Sequence, residues 1–170
     1  MNELNLLSKY LLIPFKPYDE IIPNLWLGNL RCCLDEQFLK DKNIKAVVSL
    51  YIPFINKDYF LSKNIAIYQI KISDNISLKS NIILYHEFNN IHKFIKSYLN
   101  RNYGVLVHCH YGWQRSATTC TAYLMKEYGL SYNKAVDHIK SKRKLALFPN
   151  SSFELALKLY NKKLYNKKLI

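Results

Sequence analysis

The sequence predicts an α/β fold with a mostly parallel, twisted central sheet and helices packed on both of its faces. Short apolar runs rich in β-branched residues alternate along the chain with segments whose apolar residues recur at helical spacing. The 170 residues suit one domain, and 49% hydrophobic with 14% aromatic residues exclude a disordered chain. Residues 105–108 form an apolar run that leads through a short loop into a helical pattern. Ligand chemistry is therefore expected outside the carboxyl ends of the strands.

The first 17 residues are predicted to be separate from this domain. Residues 4–12 are apolar at helical spacing, and Pro14 and Pro17 isolate that helix from the rest of the chain. Lys9 interrupts the apolar run and no small-residue cleavage site follows, so a signal peptide is not expected. No segment reaches the length of a membrane span. The predicted organisation is a helix and linker at 1–17, a central domain at 18–160 and a basic tail at 161–170.

The first half of the central domain is predicted to alternate strands and helices. Trp26 lies in an opening strand and turn and is expected in the core. Residues 44–51 are apolar and β-branched, and residues 65–72 alternate between apolar and polar side chains, so both are predicted strands. The predicted elements are strand and turn 21–29, helix 35–42, strand 44–51, strand 65–72 and helix 80–99.

The second half continues the alternation and ends in helices. Strand 105–108 is followed by two predicted helices, 116–128 and 130–143. The first of them stops at Gly129. Ser131 suits the N-cap of the second of these helices. Ser151 and Glu154 have the spacing of a capping box and predict the start of the last helix.

The loop after strand 105–108 has the features of a phosphate cradle. Its backbone N–H groups and the N-terminus of the following helix can point at one anion. Gly112 lets the loop turn tightly, and the guanidinium of Arg115 can hold two phosphoryl oxygens in a bidentate fork. Such a field also favours the thiolate form of Cys109, although a single cysteine at a strand end is more often a buried apolar residue.

The segment His-Cys-x-x-Gly-x-x-Arg-Ser resembles the signature of the cysteine-dependent protein phosphatases. The resemblance implies that Cys109 attacks phosphorus, that Arg115 binds the phosphate and that the Ser116 hydroxyl helps the thiolate leave the phosphocysteine intermediate. His108 is implied to tune the cysteine. The substrate-binding residues implied by position are His110, Tyr111, Gly112, Trp113, Gln114 and Arg115.

Asp74 is the acid that the resemblance favours. It lies in a loop after predicted strand 65–72 and 35 residues before Cys109, where the family keeps a loop aspartate. A carboxylic acid there can protonate the departing oxygen and then activate water. A turn or helix cap is the alternative role of Asp74, and Asp58 and Glu87 are the alternative acids.

Residues 21–160 resemble the small dual-specificity protein phosphatases, including those of large DNA viruses. Residues 4–12 are also similar to the start of the small poxvirus phosphatase, whose N-terminal helix is exchanged across a dimer. The resemblance therefore implies a homodimer, and packing of the helix on its own domain is the alternative. Asn150 would lie beside the cradle as a supporting residue. Tyr111 and Trp113 depart from the family, where a small residue is usual at the first position and a small or aliphatic one frequent at the second. The short chain implies a shallow site that admits phosphoserine, phosphothreonine and phosphotyrosine.

The resemblance implies phosphorylated proteins as partners and neither a metal nor another cofactor. The four cysteines form no Cys-x-x-Cys pair, which indicates a reducing, cytoplasmic setting without a disulfide framework or zinc site. An RNA 5′-triphosphatase of the cysteine type is the main alternative, because residues 134–170 hold ten Lys or Arg and two acids. Asp74 argues against it, since the RNA enzymes usually lack that acid. A phosphoinositide phosphatase would tend to carry lysines in this loop, and a catalytically inactive phosphoprotein-binding module is the non-enzyme alternative.

Overall fold

The structure is a computed structural model that describes residues 16–51, 56–73, 77–148 and 151–166. Within these residues the strands are β1 Tyr18–Ile22, β2 Leu25–Gly28, β3 Ile44–Ser49, β4 Ala66–Gln69 and β5 Gly104–His108. The α-helices are α1 Glu36–Asp41, α2 Lys57–Ser62, α3 Leu78–Leu99, α4 Arg115–Glu127, α5 Tyr132–Lys142 and α6 Glu154–Asn166, and a 3-10 helix, Cys32–Leu34, precedes α1.

The five described strands form one sheet in the order β1-β2-β5-β3-β4. Only the β1–β2 pair of the described sheet is antiparallel, and the β2–β5, β5–β3 and β3–β4 pairs are parallel. The predicted mostly parallel sheet is therefore confirmed. Strand β5 lies in the middle, with Val105 paired to Leu25 on one side and to Ala46 on the other. The residues that follow β5 are thus held at the centre of the carboxyl edge.

Helices cover both faces of the sheet, as predicted. One face packs against α1 and α2 through Phe38 and Phe60, in a cluster that includes Trp26. The other face packs against α3, α4, α5 and α6, which share the larger core cluster. Burying each face against helices accounts for the continuous apolar runs of β3 and β5.

Several element boundaries differ from the prediction. The predicted strand and turn 21–29 is a hairpin, because Asn24 adopts a left-handed conformation (φ 66°) that reverses the chain between β1 and β2. Helix α2 was not predicted; its N-cap is Asn56, whose side chain accepts a hydrogen bond from the Asp58 amide. Helix α6 begins only at Glu154, and Ser151 instead accepts a hydrogen bond from the Phe153 amide at 3.2 Å.

Other caps are as expected. Ser131 caps α5 by accepting a hydrogen bond from the Lys134 amide, and Gly129 ends the α4 segment with φ 64°. Four predicted features lie outside the described residues: the helix at 4–12, Asp74, Asn150 and the end of the basic tail. No helix in the described part of the chain is long and apolar enough to cross a membrane.

Candidate active site

The loop that follows β5 is bonded to both neighbouring strands. The Leu50 amide, just beyond β3, donates to the His108 carbonyl at 3.0 Å, and the Leu30 amide, just beyond β2, donates to the His110 carbonyl at 3.1 Å. Cys109 lies between these two anchored residues and is 1% exposed. The sheet therefore fixes the backbone on both sides of the cysteine.

Two hydrogen bonds converge on the sulfur of Cys109. The Gly112 amide lies 3.3 Å from Sγ, and the Ser116 hydroxyl lies 3.2 Å from it. Both groups donate to the sulfur, which lies at the N-terminus of α4, where the helix dipole favours negative charge. This arrangement brings together the predicted nucleophile and the predicted leaving-group residue.

Gly112 is required by the packing of the loop. Its φ is 72°, and a Cβ atom at this position would approach the Gly28 carbonyl oxygen within 2.6 Å. The loop can therefore lie against the end of β2 only if this residue has no side chain.

Arg115 is the first residue of α4 and is 5% exposed. One terminal guanidinium nitrogen donates to the Ile72 carbonyl at 3.2 Å. This bond orients the plane of the guanidinium and also links the loop to the segment that leads toward Asp74. Cys109, directly after β5, and Arg115, at the start of α4, therefore flank the same loop.

Arg143, which was not among the predicted site residues, binds two backbone carbonyls of the loop. Its guanidinium donates to the Gly112 carbonyl at 2.9 Å and to the Tyr111 carbonyl at 3.3 Å. The same group forms a 2.6 Å ion pair with Asp19 on β1 and is 5% exposed. No local pattern in the sequence marks this pair, because Arg143 stands in a basic segment and its partner is 124 residues away.

The side chain of Gln114 connects the loop to the segment before α6. Its amide nitrogen donates to the Phe148 carbonyl at 2.9 Å, and its amide oxygen accepts from the Ser152 amide at 2.9 Å. The Leu147 amide also donates to the Trp113 carbonyl at 2.7 Å. These contacts hold both ends of the segment that contains Asn150, so Gln114, predicted to bind substrate, also braces the loop.

His108 is completely buried at the end of β5. Burial lowers the pKa of its imidazole to about 4, and the positive charge of Arg115 acts in the same direction. The ring is therefore neutral at pH 7 and adds no positive charge beside the cysteine.

The remaining three cysteines occur in different surroundings. Burial raises the pKa of the Cys33 thiol to about 12 and raises those of Cys32 and Cys120 further. These thiols stay protonated near neutral pH and behave as small apolar side chains. The two hydrogen bonds to the sulfur distinguish Cys109 from them.

The three candidate acids are placed differently. Asp74 lies outside the described residues, between Ile72 and the N-cap of α3, Ser77, which accepts a hydrogen bond from the Ser80 amide. Asp58 is in the first turn of α2, where a negative charge favours the helix. The Glu87 carboxylate accepts a 2.6 Å hydrogen bond from the Tyr68 hydroxyl. Both alternatives thus have a structural role of their own.

The fold and this loop define a cysteine-dependent phosphatase: a thiol at the carboxyl end of a central parallel strand, an anion-binding turn and an arginine that opens the next helix. Residues 25–163 match the catalytic domain of the dual specificity phosphatases. The chain therefore belongs to the dual specificity phosphatase family.

Individual relatives agree with this assignment. The chain is 31% identical over 157 residues to Dual specificity protein phosphatase 1B of Arabidopsis thaliana, covering 91% of this chain and 88% of that protein. A relative from Acanthamoeba polyphaga mimivirus, named as a tyrosine-protein phosphatase, is 27% identical over 175 residues, covering 90% and 79%. The crystal structure of human DUSP28 matches with a TM-score of 0.77 at 26% identity, covering 88% of this chain and 96% of that chain.

Proposed function

We propose that the protein hydrolyses phosphotyrosine, phosphoserine and phosphothreonine in proteins through a phosphocysteine intermediate. The observation that supports this most directly is the convergence of the Gly112 amide and the Ser116 hydroxyl on the sulfur of Cys109. Membership of the dual specificity phosphatase family supports the reaction and its protein substrates.

In the first step the Cys109 thiolate attacks phosphorus. A sulfur–phosphorus bond forms, the phosphorus–oxygen ester bond breaks, and Asp74 as a carboxylic acid gives its proton to the departing oxygen. The guanidinium of Arg115 and the loop amides stabilise the charge on the phosphoryl oxygens. Residues His110 to Gln114 supply those amides and the walls of the site.

In the second step water attacks the phosphorus of the phosphocysteine. The Asp74 carboxylate takes the proton from that water, the sulfur–phosphorus bond breaks, and inorganic phosphate leaves. The sulfur departs as a thiolate, which the Ser116 hydroxyl and the Gly112 amide stabilise at 3.2 and 3.3 Å. His108 and Asn150 are proposed as supporting residues, and the proposed reaction requires neither a metal nor another cofactor.

Removing the acid should slow turnover without preventing substrate binding. For Asp74→Asn we expect kcat with p-nitrophenyl phosphate to fall by about 10²-fold, the lower part of the range for general acid catalysis, because p-nitrophenolate leaves readily. The alkaline limb of the pH–rate profile should flatten, since that limb reports loss of the acid's proton. Asp58→Asn and Glu87→Gln are the matched controls. An unchanged limb in Asp74→Asn, with a flattened limb in either control, would move the acid to that residue.

The substrate class is tested by comparing the turnover of phosphopeptides and of 5′-triphosphorylated RNA. The second candidate function is that of an RNA 5′-triphosphatase, because the basic segment 134–170 could bind the phosphates of RNA. We expect matched phosphotyrosine and phosphothreonine peptides both to be hydrolysed, and Lys162→Gln with Lys163→Gln to leave peptide kinetics unchanged. Efficient release of phosphate from 5′-triphosphorylated RNA, with negligible turnover of either peptide, would instead favour the RNA enzyme.

The protein is further proposed to form a homodimer through residues 4–12. This apolar helical pattern is followed by a linker with two prolines and needs a surface against which to bury. We expect light scattering at micromolar concentration to give a dimer for the full chain. Deleting residues 1–15 should give a monomer and keeps Lys16, whose carbonyl accepts a hydrogen bond from Arg143. Leu7→Asp with Leu11→Asp should have the same effect. A monomeric full chain, or a dimer that survives both changes, would contradict the proposal.

A cytoplasmic, reducing location is also proposed. All four cysteines of the chain are free and buried. A thiolate nucleophile requires reducing conditions, because it is the form of cysteine that oxidants attack most readily.

A further inference from the structure

Aromatic side chains form a continuous row at the mouth of the phosphate cradle. The ring of Tyr51, just beyond β3, stacks on His110 with centroids 5.5 Å apart and planes 13° apart. His110 meets Tyr111 edge-on at 4.3 Å, and Tyr111 lies 5.5 Å from Trp113 at 34°. We call these four residues the aromatic wall. Three of them belong to the loop between Cys109 and Arg115.

The backbone of the loop dictates where these side chains point. The Gly112 amide faces the sulfur of Cys109, so this N–H group lies on the inner side of the loop. The carbonyls of Tyr111 and Gly112 face the opposite way and bind Arg143 inside the domain. The side chain of Tyr111 is 53% exposed, and those of His110 and Trp113 are half-buried.

A contiguous row of half-buried rings with the exposed Tyr111 among them, beside a reactive group, indicates a binding surface. Single exposed aromatic residues are ordinary on protein surfaces, but a contiguous group at the rim of a catalytic site favours contact with a ligand. Cys109 is 1% exposed, so a phosphate must extend from the peptide backbone into the loop to reach its sulfur. The phosphate of phosphotyrosine stands a full ring beyond that of phosphoserine or phosphothreonine.

We propose that the aromatic wall makes phosphotyrosine the preferred substrate. The proposal rests on the proposed phosphatase function and adds a preference to it. The phenyl ring of phosphotyrosine can pack edge-on or offset against Tyr111 and Trp113, and one or two such contacts correspond to a preference of roughly 10-fold. Alkyl phosphates gain no such contact and must bring the peptide backbone close to the rim.

The test compares peptides that differ only in the phosphorylated residue. We expect kcat/KM for the phosphotyrosine peptide to exceed that for the phosphothreonine peptide by at least about 10-fold. Tyr111→Ala with Trp113→Ala should raise KM for phosphotyrosine and reduce the ratio toward one. Tyr111→Phe keeps the ring and should keep the ratio. Tyr128→Ala is the matched control, because Tyr128 is a comparably exposed tyrosine (55%) at the end of α4.

Peptide binding to the Cys109→Ser variant measures the contribution of the aromatic wall to affinity in the absence of turnover. This variant should bind the phosphotyrosine peptide about 10-fold more tightly than the phosphothreonine peptide, and removing both rings should abolish the difference. Equal turnover and equal affinity for the two peptides would refute the proposed role of the aromatic wall but not the proposed phosphatase activity. Failure of the unmodified protein to hydrolyse either peptide would instead refute the proposed function. Tighter binding of 5′-triphosphorylated RNA, lost with Tyr111 and Trp113, would assign the wall to a nucleobase and overturn the preference.

Discussion

Cys109→Ser is expected to abolish turnover of p-nitrophenyl phosphate, with kcat lowered by at least about 10⁴-fold. A serine hydroxyl remains protonated near neutral pH, and no group of the site is proposed to act as its base. His108, one of the two histidines that flank Cys109, is buried and has a pKa of about 4. The proposed mechanism gives its ring no role in proton transfer, so His108 is not expected to restore activity to Cys109→Ser. Steady-state kinetics with the purified variant measure the loss.

Phosphate binding should survive this substitution. The Gly112 amide, the N-terminus of α4 and the Arg115 guanidinium all remain, so inorganic phosphate and tungstate should still bind in calorimetry. Cys33→Ala is the matched control, because the Cys33 thiol is buried and donates to the Leu30 carbonyl; it should retain activity. EDTA should leave turnover of the unmodified protein unchanged. Activity of Cys109→Ser close to that of the unmodified protein would refute the cysteine mechanism.

The catalytic loop could be predicted from the sequence because its determinants are local. A central strand, a glycine with positive φ and the first turn of a helix lie within the twelve residues 105–116, and each is specified by its own residue types. The central sheet could be predicted for a similar reason: β3 and β5 are apolar runs of strand length. Local composition determined both features, so neither required knowledge of distant contacts.

The supports of the loop could not be predicted because they join distant parts of the chain. Arg143 reaches Asp19, and Gln114 reaches Phe148, across separations that leave no periodic signal. A basic residue in a basic segment is usually solvated, so the burial of Arg143 follows only from the packing of α5 near β1. The hairpin between β1 and β2 was also missed, since the left-handed backbone of Asn24 depends on pairing that forms in the folded sheet.

Arg115→Lys is expected to lower kcat/KM by about 10³-fold while leaving the fold intact. The guanidinium can present two parallel donors to the phosphoryl oxygens, and its bond to the Ile72 carbonyl fixes the plane of that fork. A lysine keeps the positive charge but offers one compact ammonium group that cannot reproduce the bidentate geometry. Phosphate affinity should fall together with turnover, because the fork contacts the substrate and the transition state alike.

Arg143→Lys is the matched comparison, since the same substitution is made in a second buried arginine, one that contacts the loop from the end of α5. One ammonium cannot replace the bonds to Gly112, Tyr111 and Asp19, and losing two or three net hydrogen bonds should lower the free energy of unfolding by about 2–3 kcal/mol. Its kcat should fall only about 10-fold, because no group that contacts phosphorus is removed. Denaturant unfolding and kinetics of both variants decide the assignment. A stability loss in Arg115→Lys equal to that in Arg143→Lys, with kcat/KM retained, would make Arg115 a structural residue and remove it from the mechanism.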